Sequence, residues 1–587
     1  MKLSLTLYLD GLDDLSHLMK VLQDDTPITV DCETVDKPVD KPIEEPIEEP
    51  VEETFTSTDP SNIWASTAKD WTDFPLPANA KQVFVSESEG YDSNSGLSDN
   101  EPLKTIELGI DLLSDGKGDQ LLLKRGDTFL NEDLGKWSKS GAGPNAMLLI
   151  GAYGEGTRPI VRPDTGKNII SHNGEETCNY VAISDLHFMS PELHNGVEKP
   201  PQLVWRAQTE GLHIEGCYFD GCAVIIQRVD RSGPINNVVF RRNVVDTPYA
   251  EGGRIHIYWK QVNGGLFEEN FLYHLGWKEG LVADDKFTHN FYGSHDCTNI
   301  TFRRNISMLA SSHGVQLRGG GIMDENLFIG NALQSFGYVL GGSKDAPLRK
   351  SGTSGSIRNN LFLDPKKIDG ADRGTGIQVG NINDIGLEIS GNLFLNDTRS
   401  GELNSCAIEL DPTNGPAGLN NLSIFGNIIY NWRGGLVVQA DSDYSKVSRV
   451  DISGNAWQNM MGSGSRPLFV SILGSNYGKF SFAGNTFHRK EGETEVGFRV
   501  GDRTRYADRD FSWWTHNMES TAKEEELHYP DPTRTLSSYA VSVGGSNSAL
   551  AFVNRCRLQR RGFWSDDYTA KSVLNYFRTG FGMETLI

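Results

Sequence analysis

One phrase recurs along this chain and limits what it can become. "LEISGNLFLNDT" at residues 387–398 is followed by "LSIFGNIIYNW", "VDISGNAWQNM" and "FSFAGNTFHRK". It is preceded by "VVFRRNVVD", "GLFEENFLYH", "ITFRRNISM", "GIMDENLFIG" and "SIRNNLFLD". The repeated asparagines are Asn243, Asn270, Asn305, Asn326, Asn360, Asn392, Asn427, Asn455 and Asn485, spaced roughly 21 to 35 residues apart. Alternating apolar residues on each side mark strands with a buried face. Asparagine suits the bend between them, because it tolerates a left-handed backbone and hydrogen-bonds to its neighbours.

A second strand type lies between the asparagine phrases: "VIIQR", "RIHIYWK", "GVQLR", "GIQVG", "AIELD" and "GLVVQA". One bend and two or three short strands make one coil of a solenoid. Propeller blades need about 40–45 residues, more than these repeats supply. Leucine-rich repeats need a helical segment in each unit, and none is present. A parallel β-helix accepts the variable spacing, because loops can swell at its corners while strands stack about 4.8 Å apart. Asparagines stacked at one corner would then bond up the pile as a ladder. A β-sandwich with asparagine-rich turns is the alternative.

The flanks differ in character. "LSLTLYLDG" and "LDDLSHLMKVLQ" predict a strand and a short helix, too little to fold alone. Residues 35–53, "VDKPVDKPIEEPIEEPVEE", carry proline at every fourth position and net acid, which predicts an extended spacer. A docking piece on a spacer suggests a tether to a larger body. Beyond residue 490 the asparagine phrase stops, and "LSSYAVSVGG", "NSALAFVNRCRLQRR" and "YTAKSVLNYFRTGFG" read as helices. The last of these starts at Thr569 and stops at Gly580, as a lid on the exit end or a separate oligomerisation module.

Residues 81–129 begin with a strand and a Gly/Ser/Asn loop, pass through "PLKTI" into an amphipathic helix, and end in "GDQLLLKRGDTF". This resembles the entry cap of the pectate-lyase-like right-handed parallel β-helix proteins, which include polysaccharide-degrading enzymes and phage tailspikes. The resemblance spans roughly residues 80–490. It implies an all-β right-handed parallel β-helix with an N-terminal capping helix, a small tethered α/β docking segment and a C-terminal helical cap. The expected partition is 1–28 docking segment, 29–60 linker, 61–490 β-helix and 491–587 helical cap.

A formal charge of −23 argues against nucleic acid or an anionic membrane as general partner. No segment approaches the ~20 apolar residues that span a bilayer. The seven cysteines are scattered without metal-ligand spacing; Cys217 and Cys222 flank a turn, and buried free thiols are the expectation. The first residues make a poor secretion signal. Together with the tether, this points to a virion surface, with docking of residues 1–28 on a capsid or tail protein. An extracellular location is the alternative, and a homotrimer is an expectation by analogy with tailspikes.

Strand parity nominates the chemistry. Ile255, Ile257 and Trp259 share one face of "RIHIYWK", and Arg254, His256, Tyr258 and Lys260 the other. The same rule turns Gln227, Asn290, Tyr292, Gln316, Arg318, Gln378, Glu409, Asp411, Gln439 and Asp441 outward. Stacked in one sheet, these form a ribbon that starts basic and aromatic and ends acidic, suited to an extended sugar chain. Elimination from a uronic acid needs a cation for the carboxylate, a base for the C5 proton and an acid for the leaving oxygen. Arg254, His256, Tyr258, Lys260, Tyr292 and Arg318 offer all three. Hydrolysis needs two carboxyl groups, for which Asp284 with Asp285, or Glu409 with Asp411, are candidates. Lys286, His289, His295 and His313 lie nearby in sequence. No cofactor is implied, and calcium on such carboxylates would be the one metal to consider. Three function classes stay open: a virion-attached spike that binds and cleaves a surface polysaccharide, a non-catalytic decoration protein, and a secreted bacterial lyase or hydrolase.

Overall fold

The computed structural model describes residues 71–587, apart from 173, 192–199, 229–232, 250–256, 338–350, 369–373, 398, 400–404, 440–443, 462–468, 475, 490–496 and 502–505. The expected docking segment and linker lie outside the described residues. Among the described residues, no helix is long and apolar enough to cross a membrane.

The described coils before residue 202 contribute strands to two sheets, and each later coil contributes in turn to three. Sheet 1 runs from Gln82–Val85 to Phe480–Ala483 and sheet 2 from Thr128–Leu130 to Lys523–Glu524, with 14 described strands each. Sheet 3 has 12, from Gln202–Trp205 to Phe498–Val500 and finally Ala507–Arg509. Every neighbouring pair is parallel except the last pair of sheet 3. The strand stack therefore continues past the expected boundary at residue 490.

The three sheets enclose one core. Phe240, Phe267 and Phe302 of sheet 1 continue into Phe328, Phe362 and Phe394 of sheet 2 as a column of near-parallel rings, with centroids 4.5 to 6.3 Å apart. Dispersion and the hydrophobic effect reward such a column, because every ring face meets another ring and no water.

The asparagine ladder forms as expected, with one shift of detail. The Asn392 amide N–H and Nδ2 both donate to Asn427 Oδ1, at 3.0 and 2.9 Å, and the pattern repeats from Asn243 to Asn485. The left-handed residue is the one before each asparagine: Arg242, Glu269, Arg304, Glu325, Asn359, then Gly391, Gly426, Gly454 and Gly484. That step tips the chain round the corner and frees the asparagine amide for the stack. It also explains the change from charged residues to glycine in the phrase, since glycine meets no steric penalty there.

Sheet 1 carries an alternating ion ladder at the same corner. Glu215, Arg241, Glu268, Arg303, Asp324 and Arg358 are partners in successive strands. Arg303 donates to Glu268 at 2.6 Å, and Arg358 to Asp324. A one-residue slip of any strand would turn its charge toward the core and a core side chain onto this face, so the ladder fixes register.

Helix α1 (Ile106–Leu112) covers the first coil as expected, seating buried Ile106 and Gly109 against it. A Cβ at Gly109 would lie 2.7 Å from Val85 Cγ2, so only glycine lets the helix come this close. At the other end α2 (Phe511–Asn517) stacks Trp514 on Phe498 at 4.2 Å. Beside it, Glu519 Oε1 accepts from the amide and Nδ2 of Asn485, taking the place of a further asparagine.

Helices α3 (Leu536–Ser542), α4 (Ala549–Arg557) and α5 (Ala570–Gly580) form where the sequence predicts helices, with Thr569 capping α5. Their position differs from an exit lid. They fold back along the outer face of sheet 2, where Leu327, Ile329, Leu361, Leu363, Leu393 and Leu395 meet Tyr539, Phe552, Val553, Val573 and Phe577. This is why the three residues after Asn326, Asn360 and Asn392 are apolar without alternation: both faces of sheet 2 are covered there. Arg557 clamps α4 to buried Asp246 through Nε and Nη2, at 2.6 and 3.2 Å. The six described cysteines are buried free thiols.

Candidate functional site

The outer face of sheet 3 brings the predicted ribbon together. Tyr258 pairs with Tyr292, Tyr292 with Gln316, Gln316 with Ser335, Ser335 with Gln378, and Gln378 with Glu409. Their strand neighbours Ile257, Trp259, Phe291, Val315, Leu317, Phe336, Val379 and Leu410 face the core, which confirms the parity. Gln227 and Lys260 are register partners beside this column, as are Gly380 and Asp411.

The basic and aromatic end is a contact cluster. The Arg318 guanidinium lies 5.1 Å from the Tyr292 ring centre, and the Tyr258 ring 5.1 Å on the other side. His289 meets Tyr292 edge-on at 5.4 Å and His313 at 4.4 Å. Ser312 Oγ lies 3.0 Å from His313 Nδ1. His313 shares the parity of Val315, which allows a core histidine as readily as a site residue; it is buried, and a bulge lies between it and Gln316. Burial, with the neighbouring Tyr292, pushes the Tyr258 phenol far above its ordinary range, so it stays protonated at neutral pH. Gln316 is 3% exposed, and its Oε1 has no hydrogen-bond partner among the described residues.

At the acidic end Glu409 and Asp411 share one face of strand Ile408–Asp411. Two residues of strand separate their Cα atoms by about 6.6 Å. Gln439 Nε2 donates to Glu409 Oε1 at 2.9 Å, and the Thr413 amide and hydroxyl donate to Asp411 Oδ1 at 2.9 and 2.7 Å.

Other expectations fare differently. Arg254, His256 and Asp441 lie outside the described residues. Asn290 does not join the ribbon: it is fully buried, and its Nδ2 donates to Ser307 Oγ and Met308 O across the corner. It precedes the strand Phe291–Gly293, so strand parity does not govern it. Asp284 and Asp285 belong to the corner loop before that strand. Asp284 pairs with Lys366 at 3.3 Å, and Asp285 Oδ1 accepts from the Phe287 amide at 2.6 Å. Ser335 was not foreseen, since a serine in "ALQSF" carries no chemical signal until Gln316 and Gln378 are placed on either side. Among the described residues, no three His, Cys, Asp or Glu side chains come together as a metal cage.

The sheet topology decides the architecture. The chain is a parallel β-helix protein. No protein-family model matches it. Over 208 residues it is 36% identical to a lacto-N-biosidase of Bifidobacterium longum subsp. longum, a match covering 31% of this chain and 13% of the relative. The GH136 lacto-N-biosidase of Eubacterium ramulus overlays with a TM-score of 0.35 at 14% identity, over 76% of this chain and 68% of that one. A mannuronic-acid-specific family 6 polysaccharide lyase from human gut microbiota overlays with a TM-score of 0.31 at 16% identity, over 72% and 82%. The architecture rests on the strand order above and not on these overlays.

Proposed function

We propose that this protein binds a polysaccharide along sheet 3 and cleaves it beside Tyr292. The observation that carries this reading is the Arg318–Tyr292–Tyr258 stack, in which a cation and two phenols face outward from adjacent coils. On an acidic sugar, Arg318 would hold the uronate carboxylate. Tyr292 or His289 would take the C5 proton as the C4–O bond breaks and the C4–C5 double bond forms. Tyr258, kept protonated by burial, would donate to the departing oxygen. Gln378 and Gln439, both half-buried, extend hydrogen-bonding capacity along the chain of sugars.

A second reading, hydrolysis, is favoured by Glu409 and Asp411, whose spacing on one strand face suits a carboxylate pair. The name of the curated relative, a biosidase, leans the same way.

One experiment separates the readings. The full chain is incubated with polymannuronate, polygalacturonate, rhamnogalacturonan and lacto-N-tetraose, and both new reducing ends and ultraviolet absorbance of an unsaturated product are followed. Absorbance with reducing ends supports elimination at Arg318. Reducing ends alone support hydrolysis. Binding without either product leaves the non-catalytic decoration protein. The virion location belongs to the same proposal and rests on the acidic, proline-spaced stretch at residues 35–53, while a trimer rests on the resemblance to tailspikes. Deleting residues 1–54 should abolish attachment to particles while the β-helix stays folded, and retained attachment would refute it.

A further inference from the structure

The corner loop before Tyr292 is held more firmly than a connector needs. Trp277 Nε1 donates to Leu309 O at 2.7 Å. Lys366 Nζ lies 3.9 Å over the Trp277 ring and 3.3 Å from Asp284, while His274 stacks on Trp277 at 4.3 Å. Lys366 follows strand Leu361–Leu363, three strands further up sheet 2 than Phe271–Tyr273, where the loop begins. The latch therefore spans about 14 Å of stack. Closer to the site, Ser311 Oγ lies 2.6 Å from the Asp285 amide, and the Ser312 amide donates to Thr288 O at 2.9 Å.

Between these anchors the loop turns large apolar groups to water. Phe287 is 52% exposed and Leu281 is 47% exposed. The Phe287 amide is fixed by Asp285 Oδ1, so the ring stands on a braced turn, two residues before His289, which contacts Tyr292. Exposed Lys286 carries its ammonium 5.3 Å from the Phe287 ring centre. Of the two acids in the turn, Asp284 is paired with Lys366, and one oxygen of Asp285 is occupied by the Phe287 amide. Lys286 is the exposed cation of the turn, beside the exposed ring.

An aromatic face beside a cation suits a sugar ring bearing an anionic group: the ring's C–H face lies on the phenyl ring while the carboxylate meets the ammonium. We infer that Phe287 and Lys286 form a docking subsite for an acidic sugar residue of the polysaccharide, outside the Arg318 cluster. This rests on the proposed polysaccharide reading of sheet 3.

The test measures binding of the full chain to immobilised alginate, polygalacturonate and hyaluronan, with neutral dextran as control. Phe287→Ala, Phe287→Trp, Lys286→Ala and Arg318→Ala are compared with the unmodified chain. Phe287→Ala should weaken capture of the bound acidic polysaccharide at least tenfold, and Phe287→Trp should restore it. Lys286→Ala should flatten the dependence of binding on salt. If the unmodified chain captures none of the three, this inference and the polysaccharide reading both fall. Should it bind while Phe287→Ala and Lys286→Ala bind equally well, the subsite alone is overturned. Dissociation of an oligomer by Phe287→Ala would also overturn it, making the patch an interface between copies.

Discussion

The Arg318 guanidinium stands 5.1 Å from the centre of the Tyr292 ring, although twenty-five residues of sequence separate them. The separation is one coil, and the contact exists because Tyr292 and Gln316 are register partners. A cation beside a phenol on an outer wall is a place where developing negative charge can be stabilised.

Arg318→Ala should therefore lower turnover of an acidic polysaccharide by about 10²–10³-fold, the loss typical of removing one such stabilising group. Because Arg318 is only half-buried, its thermal unfolding should hardly change. Equal losses of turnover and folding would mean that the arginine is structural.

The ladder predicts a large stability effect at a position with no chemical role. Asn360→Ala would strip the acceptor from the Asn326 amide and Nδ2, and the donor from Met323 O. Several buried groups left unpaired cost on the order of 3 kcal/mol. Urea unfolding should show this, while an exposed control such as Glu155→Ala should be nearly silent.

Glu215 gives the fold an acid sensitivity of defined sign. Burial opposes its charge, but the hydrogen bond from His213 and the charges of His213 and Arg241 prevail, holding the carboxyl down to about 2 against an ordinary 4.5. A carboxylate lowered on folding contributes stability that is complete above its unfolded value and fades as pH falls toward its folded one. The contribution, about 3 kcal/mol, should thus disappear between pH 4.5 and 2. Glu215→Gln should flatten the slope of stability with pH in that window; an unchanged slope would assign the effect elsewhere.

The Arg557–Asp246 clamp can be opened by one change. Arg557→Ala leaves the buried Asp246 carboxylate, among the described residues, with the Tyr218 hydroxyl at 3.1 Å as its side-chain partner. Breaking a buried pair in this way costs about 3–5 kcal/mol. Limited proteolysis should then cut within residues 536–580 sooner than in the unmodified chain, while the strand stack resists.

The coil was legible because one environment recurs at every level of the stack. Phe362 and Phe394 meet the same core, and Asn360 and Asn392 the same corner, so the sequence repeats what the geometry repeats. Parity then placed Tyr258, Tyr292, Gln316, Gln378 and Glu409 correctly on one wall. It failed at Asn290, where the chain turns a corner. The Lys366–Asp284 latch had no local signature, since its partners are eighty-two residues apart. The path of α3 to α5 along sheet 2 was hidden for a related reason. A helix shows that it has an apolar face, but not which sheet receives it.

Sheet 2 binds the fate of the stack to a segment far downstream. The stripe from Val244 through Leu395 is wetted until residues 536–581 arrive to shield it. During synthesis the nascent coils must therefore wait with a greasy flank open to other nascent chains. Truncation before Leu536 should yield a product whose strands are complete yet whose solubility is lost.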